Sequence, residues 1–373
     1  MPAISQTLEI PPDKWKELLP DATLSILDFL QFSFPAPVLS SSVASTININ
    51  KHLSSLPPNV LNAQAIRSVP MLPISVIEHL LGSPRLSASQ SILCVPVHST
   101  IGEQRLPRWV LTYWNEITRL RPLRSRWTDA EDQLQALRKH KARLENTVAL
   151  VGRAYNALAS TSWSANIKVF SASIPTYHLS TYLTRQWLSD KHENQMLDLL
   201  RHEVNHKQKG DEVDIGDVFF LQQLSRLHRE GVTEYISNKS YEWLHRKGQE
   251  FGTGVYEKFV TISNIEENHW VAIVVNFKLS IILYGDSMGG MINDDLETAL
   301  TWWIHYHTAK YFPVTALPIT RQCDRYSCGI LAWNALNAYL FPEDHKLANT
   351  AFVADERLKV LLCIVDRHND KVS

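Results

Sequence analysis

The chain has 373 residues, 45% of them apolar, with 37 basic and 38 acidic side chains. That length fits two domains with an ordinary core, and the balanced charge gives no reason to expect nucleic acid or an anionic membrane as a partner. Four cysteines, Cys94, Cys323, Cys328 and Cys363, are too scattered for a disulfide framework and suit a reducing compartment.

The first residues lack a basic stretch followed by an apolar run, and no apolar run nears the roughly 18–20 residues of a spanning helix. The expected location is therefore intracellular, nuclear and/or cytoplasmic. Residues 1–100 are rich in serine and proline and offer no chemistry. Residues 105–126 carry Arg105, Arg108, Arg119, Arg121, Arg124 and Arg126 against Glu116, with Trp109, Trp114 and Trp127 interleaved. Such a segment is either a nucleic-acid contact or a helix with a solvated basic face and docked tryptophans; the second reading is preferred. Thr128 is expected to cap a long helix over about 129–158, with Asp129, Glu131 and Asp132 in its first turn. Leu134, Leu137, Leu144, Val148, Val151, Tyr155 and Leu158 form a heptad-like stripe there, interrupted by Lys141. It is expected to pack within the chain rather than to dimerise.

A domain boundary is expected between 160 and 182, where serine and threonine gather around Pro175. Beyond it, Asp190 and Glu193 have capping-box spacing, and Met196, Leu197, Leu200 and Val204 share a helical face. Residues 219–227 read as another core helix. Strands are expected over 257–263, 271–277, 280–284 and 312–317, with a hairpin turning near Lys278. Helices are expected over 295–307 and 328–340.

The most informative stretch is Arg321-Gln-Cys-Asp-Arg-Tyr-Ser-Cys-Gly, immediately before the apolar helix. A thiol at a helix start meets free backbone N–H groups and the positive end of the dipole, which favour thiolate. His269 begins one strand and Asp286 ends its hairpin partner, so the two can meet across 17 residues of sequence. Gln322 can donate to an oxyanion, and the Cys328 N–H can add a second donor. Taken singly, each of these residues has an ordinary structural reading; only the ordered set points to a thiol nucleophile with its base, orienting acid and oxyanion donor.

The chain here resembles the ubiquitin-like-protein-specific proteases, the SUMO-protease class of cysteine peptidases. The matching residues are Trp187-Leu-Ser-Asp, Asn268-His-Trp-Val-Ala-Ile-Val-Val-Asn-Phe, Tyr284-Gly-Asp-Ser-Met-Gly-Gly, and Gln322 through Cys328-Gly329, spanning about residues 180–345. The resemblance implies an α+β, papain-like cysteine protease domain over 176–373, behind a mostly helical or irregular accessory region over 1–175. It implies a triad of Cys328, His269 and Asp286, with Gln322 polarising the oxyanion and Trp187 and Trp270 clamping the substrate's Gly-Gly tail. The implied partner is a SUMO-like or other ubiquitin-like protein and its conjugates, with no membrane or nucleic acid, and no cofactor is required. Ser327 stands where the family usually has Asp, and Cys323 where it often has Pro. Two alternatives remain open: a module that grips such a protein without cutting it, and a metal site built from Cys323, Cys328, His305 and His307.

Overall fold

The computed structural model describes residues 8–37, 49–94, 103–140, 145–168, 170–210 and 212–370. Their contacts divide into two compact units, one of residues 1–129 and 158–165, the other of 130–157 and 166–373. The second unit therefore takes in 130–157 and 166–175, which lie before the boundary expected at 176.

The first unit is helical, with α1 (Pro12–Leu18), α2 (Ile26–Gln31), α3 (Ala63–Ser68) and α4 (Ile74–Leu81). A small antiparallel sheet joins β1 (Leu53–Ser54), β2 (Ser91–Cys94) and β3 (Gln104–Leu106) in that order. The basic segment is a helix, α5 (Val110–Lys139), whose buried face includes Val110, Tyr113, Trp114, Ile117 and Leu120. Arg108, Arg121 and Arg124 donate to carbonyls within the unit, while Arg119 and Arg126 are exposed. Arg124 donates to the carbonyls of Phe32 (2.7 Å) and Leu30 (2.8 Å), Arg108 to that of Leu86 (3.0 Å), and Arg121 to that of Pro35. A guanidinium with five donors in a fixed fork suits such closely spaced carbonyls.

Thr128 does not cap a helix. The apolar periodicity before it already drives helix formation from Val110, so Thr128 sits mid-helix and its hydroxyl donates back to the Arg124 carbonyl at 3.1 Å. A second helix, α6 (Glu145–Ser160), follows. Lys141 and Leu144 of the heptad stripe lie outside the described residues. In α6 the buried face is Thr147, Leu150, Val151, Ala154 and Leu158, and Val148 is 43% exposed. The buried face thus departs from the heptad positions, with Thr147 inside in place of Val148.

After a short antiparallel pair, β4 (Asn166–Ile167) and β5 (Ile174–Pro175), the second unit is built on a five-stranded sheet of order β10-β9-β8-β7-β6, with β6 (Val213–Ile215), β7 (Lys258–Ile265), β8 (His269–Asn276), β9 (Ile281–Gly285) and β10 (Val314–Ala316). Strands β7, β8 and β9 are antiparallel, and each outer strand runs parallel to its neighbour. The central β8 is buried along its whole length. Its alternate residues Val271, Ile273 and Val275 join a core with α9 (Phe220–Glu230), α11 (Glu242–Gly252) and α12 (Asp294–Thr308). These are numbered after α7 (Ser180–Leu183), α8 (Asp190–His206) and α10 (Val232–Ser237). Helix α13 (Cys328–Leu340) also packs on β8, and α14 (Val353–Asn369) packs on α13. α13 is apolar nearly all round because it lies between the sheet and other helices.

Within this unit, the Thr147 hydroxyl of α6 donates to the buried Asp355 carboxyl of α14 at 2.8 Å. Replacing Thr147 by valine keeps the volume and removes the donor. The expected loss is about 1–3 kcal/mol of unfolding free energy, read as a lower denaturant midpoint.

Candidate active site

The register of the β8–β9 hairpin pairs Ala272 with Gly285, which brings the start of β8 beside the residue after β9. There His269 Nε2 and Asp286 Oδ1 stand 2.7 Å apart. Both side chains are largely buried, His269 at 7% and Asp286 at 8% exposure. Asp286 also accepts from the backbone N–H groups of Met288 (2.7 Å, Oδ1) and Gly290 (3.0 Å, Oδ2). The turn that aims these donors needs Gly289, whose φ is +81° and over which the Arg321 guanidinium lies too close for any β-carbon. Burial pushes the Asp286 carboxyl up, but the bonds from His269, Met288 and Gly290 outweigh it and hold it below the usual range.

Cys328 is the first residue of α13 and is 1% exposed. Its burial raises the thiol pKa, yet hydrogen bonds from His269, from the Trp270 backbone N–H and from the Trp187 indole outweigh that, and the thiol lies below its ordinary value. The indole bond is visible directly, with Trp187 Nε1 3.2 Å from Cys328 Sγ. His269 is raised to about 9, first by its bond to Asp286 and then by its bond to Cys328, against the effect of burial. With Nε2 given to Asp286, Nδ1 is the ring atom left for the thiol. The two directions agree: both shifts favour a thiolate beside an imidazolium, the state from which a sulfur attacks and a ring returns a proton.

The structure brings the six sequence-predicted residues into one region, each held by the others or by its neighbours. Trp187 and Trp270 stack at 5.4 Å between centroids and 23° between planes, and Trp270 Nε1 donates to the Leu188 carbonyl at 2.7 Å. Gln322 is fixed to the loop after β9: its N–H donates to the Ser287 carbonyl at 3.0 Å, and its Oε1 accepts from the Ser287 hydroxyl at 2.8 Å. Its Nε2 donates to the Asp324 carbonyl at 3.1 Å, which leaves one amide hydrogen for another acceptor.

Three contributors escaped the sequence reading. Ser287 ties Gln322 to the Asp286 loop, although Asp-Ser after a strand reads only as a turn. Asp324 shapes the approach to the thiol: Oδ1 accepts from the N–H groups of Tyr326 (3.0 Å) and Ser327 (2.9 Å), and Oδ2 from the Ser327 hydroxyl (2.6 Å). The Asp-x-x-Ser spacing carried that signal. Glu193 was assigned to a capping box with Asp190. The N-cap is instead Ser189, whose N–H donates to His192 Nδ1 at 3.1 Å, because the chain turns one residue earlier. Glu193 is fully buried.

The metal alternative finds no support in the placement of its histidines. His305 stacks on Tyr311 at 4.2 Å, and His307 Nε2 bonds the Tyr235 hydroxyl at 2.5 Å. Among the described residues no group of three or more His, Cys, Asp or Glu is placed to hold a metal, and no helix is long and apolar enough to cross a membrane.

Residues 186–357 match the Ulp1 protease family, C-terminal catalytic domain. Several solved structures are similar. One is the C-terminal Ulp1 protease domain in complex with Smt3, the yeast ortholog of SUMO, at 19% identity over 60% of this chain and 95% of that chain, TM-score 0.44. Another is the Chaetomium thermophilum Ulp1-like SUMO protease catalytic domain, at 15% identity over 60% and 88%, TM-score 0.44. A third is the Xanthomonas campestris effector XopD bound to ubiquitin, at 16% identity over 47% and 91%, TM-score 0.31. No curated protein matches the chain.

The electrostatics can be read without a substrate. By NMR, the His269 ring is expected to titrate at about 9. The Asp286 carboxylate favours the charged ring, so Asp286→Asn should move that titration down toward 6.5, the ordinary value. In His269→Ala, alkylation of Cys328 by iodoacetamide should begin at higher pH than in wild type, because the thiolate has lost its cation. A His269 titration indifferent to Asp286→Asn would break the proposed pairing.

Proposed function

We propose, from the membership of residues 186–357 in the Ulp1 protease family, that this chain is a thiol peptidase. It hydrolyses the peptide or isopeptide bond after the C-terminal Gly-Gly of a SUMO-like or other ubiquitin-like modifier. The observation that carries this reading is the buried Cys328 thiol at a helix start, bonded to a histidine that is itself held by Asp286 at 2.7 Å.

In this reading the Cys328 thiolate attacks the terminal glycine carbonyl. The oxyanion is held by the Cys328 backbone N–H and the remaining Gln322 Nε2 hydrogen. The bond from Ser287 keeps Gln322 in place, so little reorganisation accompanies the charge. His269, oriented by Asp286, protonates the departing lysine amine. Water deprotonated by His269 then releases the modifier and frees the thiol.

The two indoles define the route of the tail. At 5.4 Å between centroids, they are too close for a chain to pass between them, since carbon contacts of about 3.5–4.0 Å on each side need about 7 Å. Trp270 is 2% exposed and bonded to Leu188, whereas Trp187 is partly exposed. Trp187 is therefore the ring that moves, giving up its bond to Cys328 as the tail enters. Glycine asks for the smallest opening.

A ubiquitin-like protein carrying a C-terminal electrophile tests the reading directly. Covalent labelling of wild type at Cys328 supports it, and binding without labelling would make the chain a gripping module. Cys328→Ser should lower turnover by about 10⁴ or more, whereas Cys323→Ser should keep most of it. Gln322→Ala should lower kcat by about 10²–10³ with a smaller effect on KM.

The same assay probes the slot. Changing the modifier's penultimate glycine to alanine should cost about 5- to 150-fold in kcat/KM, the overpacking cost of a methyl forced against two rings. Trp187→Ala should weaken turnover of the glycine substrate and narrow the glycine–alanine gap. An unchanged ratio would place Trp187 outside the slot.

A further inference from the structure

Gly329, the residue after the nucleophile, is pressed against a carboxyl group: a β-carbon there would stand 1.9 Å from Glu193 Oε1. Glu193 lies in the first turn of α8 and is 0% exposed. Among the described residues neither of its oxygens has a hydrogen-bond partner. An ionised carboxylate without donors is among the costliest groups to bury, and even a neutral one loses its hydrogen bonds to water. Such an arrangement calls for a reason beyond packing. α8 and α13 are otherwise well joined here, with Trp333 Nε1 donating to the Met196 carbonyl at 3.0 Å.

We propose that Glu193 is a positioning residue for the thiol, a neutral carboxyl seated against the first turn of α13 whose loss of a proton disables Cys328. This deepens the peptidase reading and rests on it. The charged and titratable groups around Glu193 come from every neighbouring element. Cys328 on α13 faces it, as do Tyr182 on α7 and Arg357 on α14. His192 adjoins it on its own helix and is pushed down to about 4, chiefly by burial, so it is uncharged at neutral pH.

Burial, then the nearby Cys328, push the Glu193 carboxyl well above its ordinary range, and Arg357 opposes them without prevailing. Arg357 donates through Nε and Nη2 to the carbonyls of Thr181 (2.6 Å), Tyr182 (3.2 Å) and Gln186 (2.9 Å), and its buried Nη1 makes no hydrogen bond to Glu193 among the described residues. A carboxylate and a thiolate in this volume would repel each other, and Arg357 makes no hydrogen bond to the carboxyl that would offset this. The thiolate–imidazolium pair therefore needs Glu193 protonated, and the thiolate in turn holds that proton in place. As pH rises, Glu193 ionises, the thiolate loses stability, and the new anion presses on the first turn of α13. Two groups, His269 and Glu193, must then keep protons for activity on the alkaline side.

The test compares pH profiles of kcat/KM for full-length wild type and Glu193→Gln on a modifier with a C-terminal fluorogenic amide, each normalised to its own maximum. Wild type should fall on the alkaline side with a limiting slope of about −2 in log kcat/KM, and Glu193→Gln with about −1 and at higher pH. Coincident limbs would overturn the proposal. Glu193→Leu, neutral but unable to hydrogen-bond, should match the glutamine variant in slope; a leucine limb like that of wild type would also overturn it.

If neither variant folds, infrared spectra of wild type decide. A protonated-carboxyl band present at neutral pH and lost over the range in which activity falls supports the proposal. Its absence at neutral pH, or its persistence through the loss of activity, overturns it. The band does not depend on turnover. A chain that shows it but hydrolyses no modifier would refute the peptidase reading and leave the neutral Glu193 standing.

Discussion

The hydrogen bond between His269 and Asp286 joins the first residue of one strand to the residue just past the next, so a single hairpin register sets it. A slip of one residue would turn each side chain to the opposite face of the sheet. That register is secured by burial: β8 is enclosed on both sides, by the aromatic core beneath Val271, Ile273 and Val275 and by α13 above. The His269–Asp286 pair is thus anchored in a strand buried along its whole length. The charge pair depends on this rigidity, because desolvation raises the thiol and only donors fixed in advance can reverse it.

A second constraint links Asp286 to the loop before Cys328. Asp286 draws two backbone N–H groups into its turn, the following Ser287 holds Gln322, and Gln322 reaches the Asp324 carbonyl. Asp324 in turn gathers the two residues before Cys328. One chain of hydrogen bonds therefore runs from Asp286 to the start of α13. The Ser327 that departs from the family pattern is part of it, as the donor to Asp324 Oδ2.

The first unit teaches a different lesson about composition. Six arginines among tryptophans look like a surface for polyanions, and charge density alone cannot separate that from an internal role. Here Arg108, Arg121 and Arg124 satisfy carbonyls of short helices and loops, while Trp114 and Trp127 are buried. In the heptad stripe, Leu134, Val151 and Leu158 are buried as its spacing expects. Its spacing was helical and a helix formed, but the turn-by-turn choice of buried side belongs to what packs against it, and Thr147 rather than Val148 faces inward.

Local features of the sequence determined the elements of the second unit. The apolar run after Cys328 made α13 begin at the thiol, β-branched residues around Lys278 made the hairpin, and His269, Asp286 and Cys328 were legible because each sits at or just past an element's end. Only tertiary packing decided that Trp187 and Trp270 stack at 5.4 Å and that Glu193 leaves its apparent capping role to lie against Gly329. Propensity and period act over a few neighbouring residues, so a sequence displays them. The environment of a buried carboxyl is set by side chains more than a hundred positions away, and no local pattern encodes it.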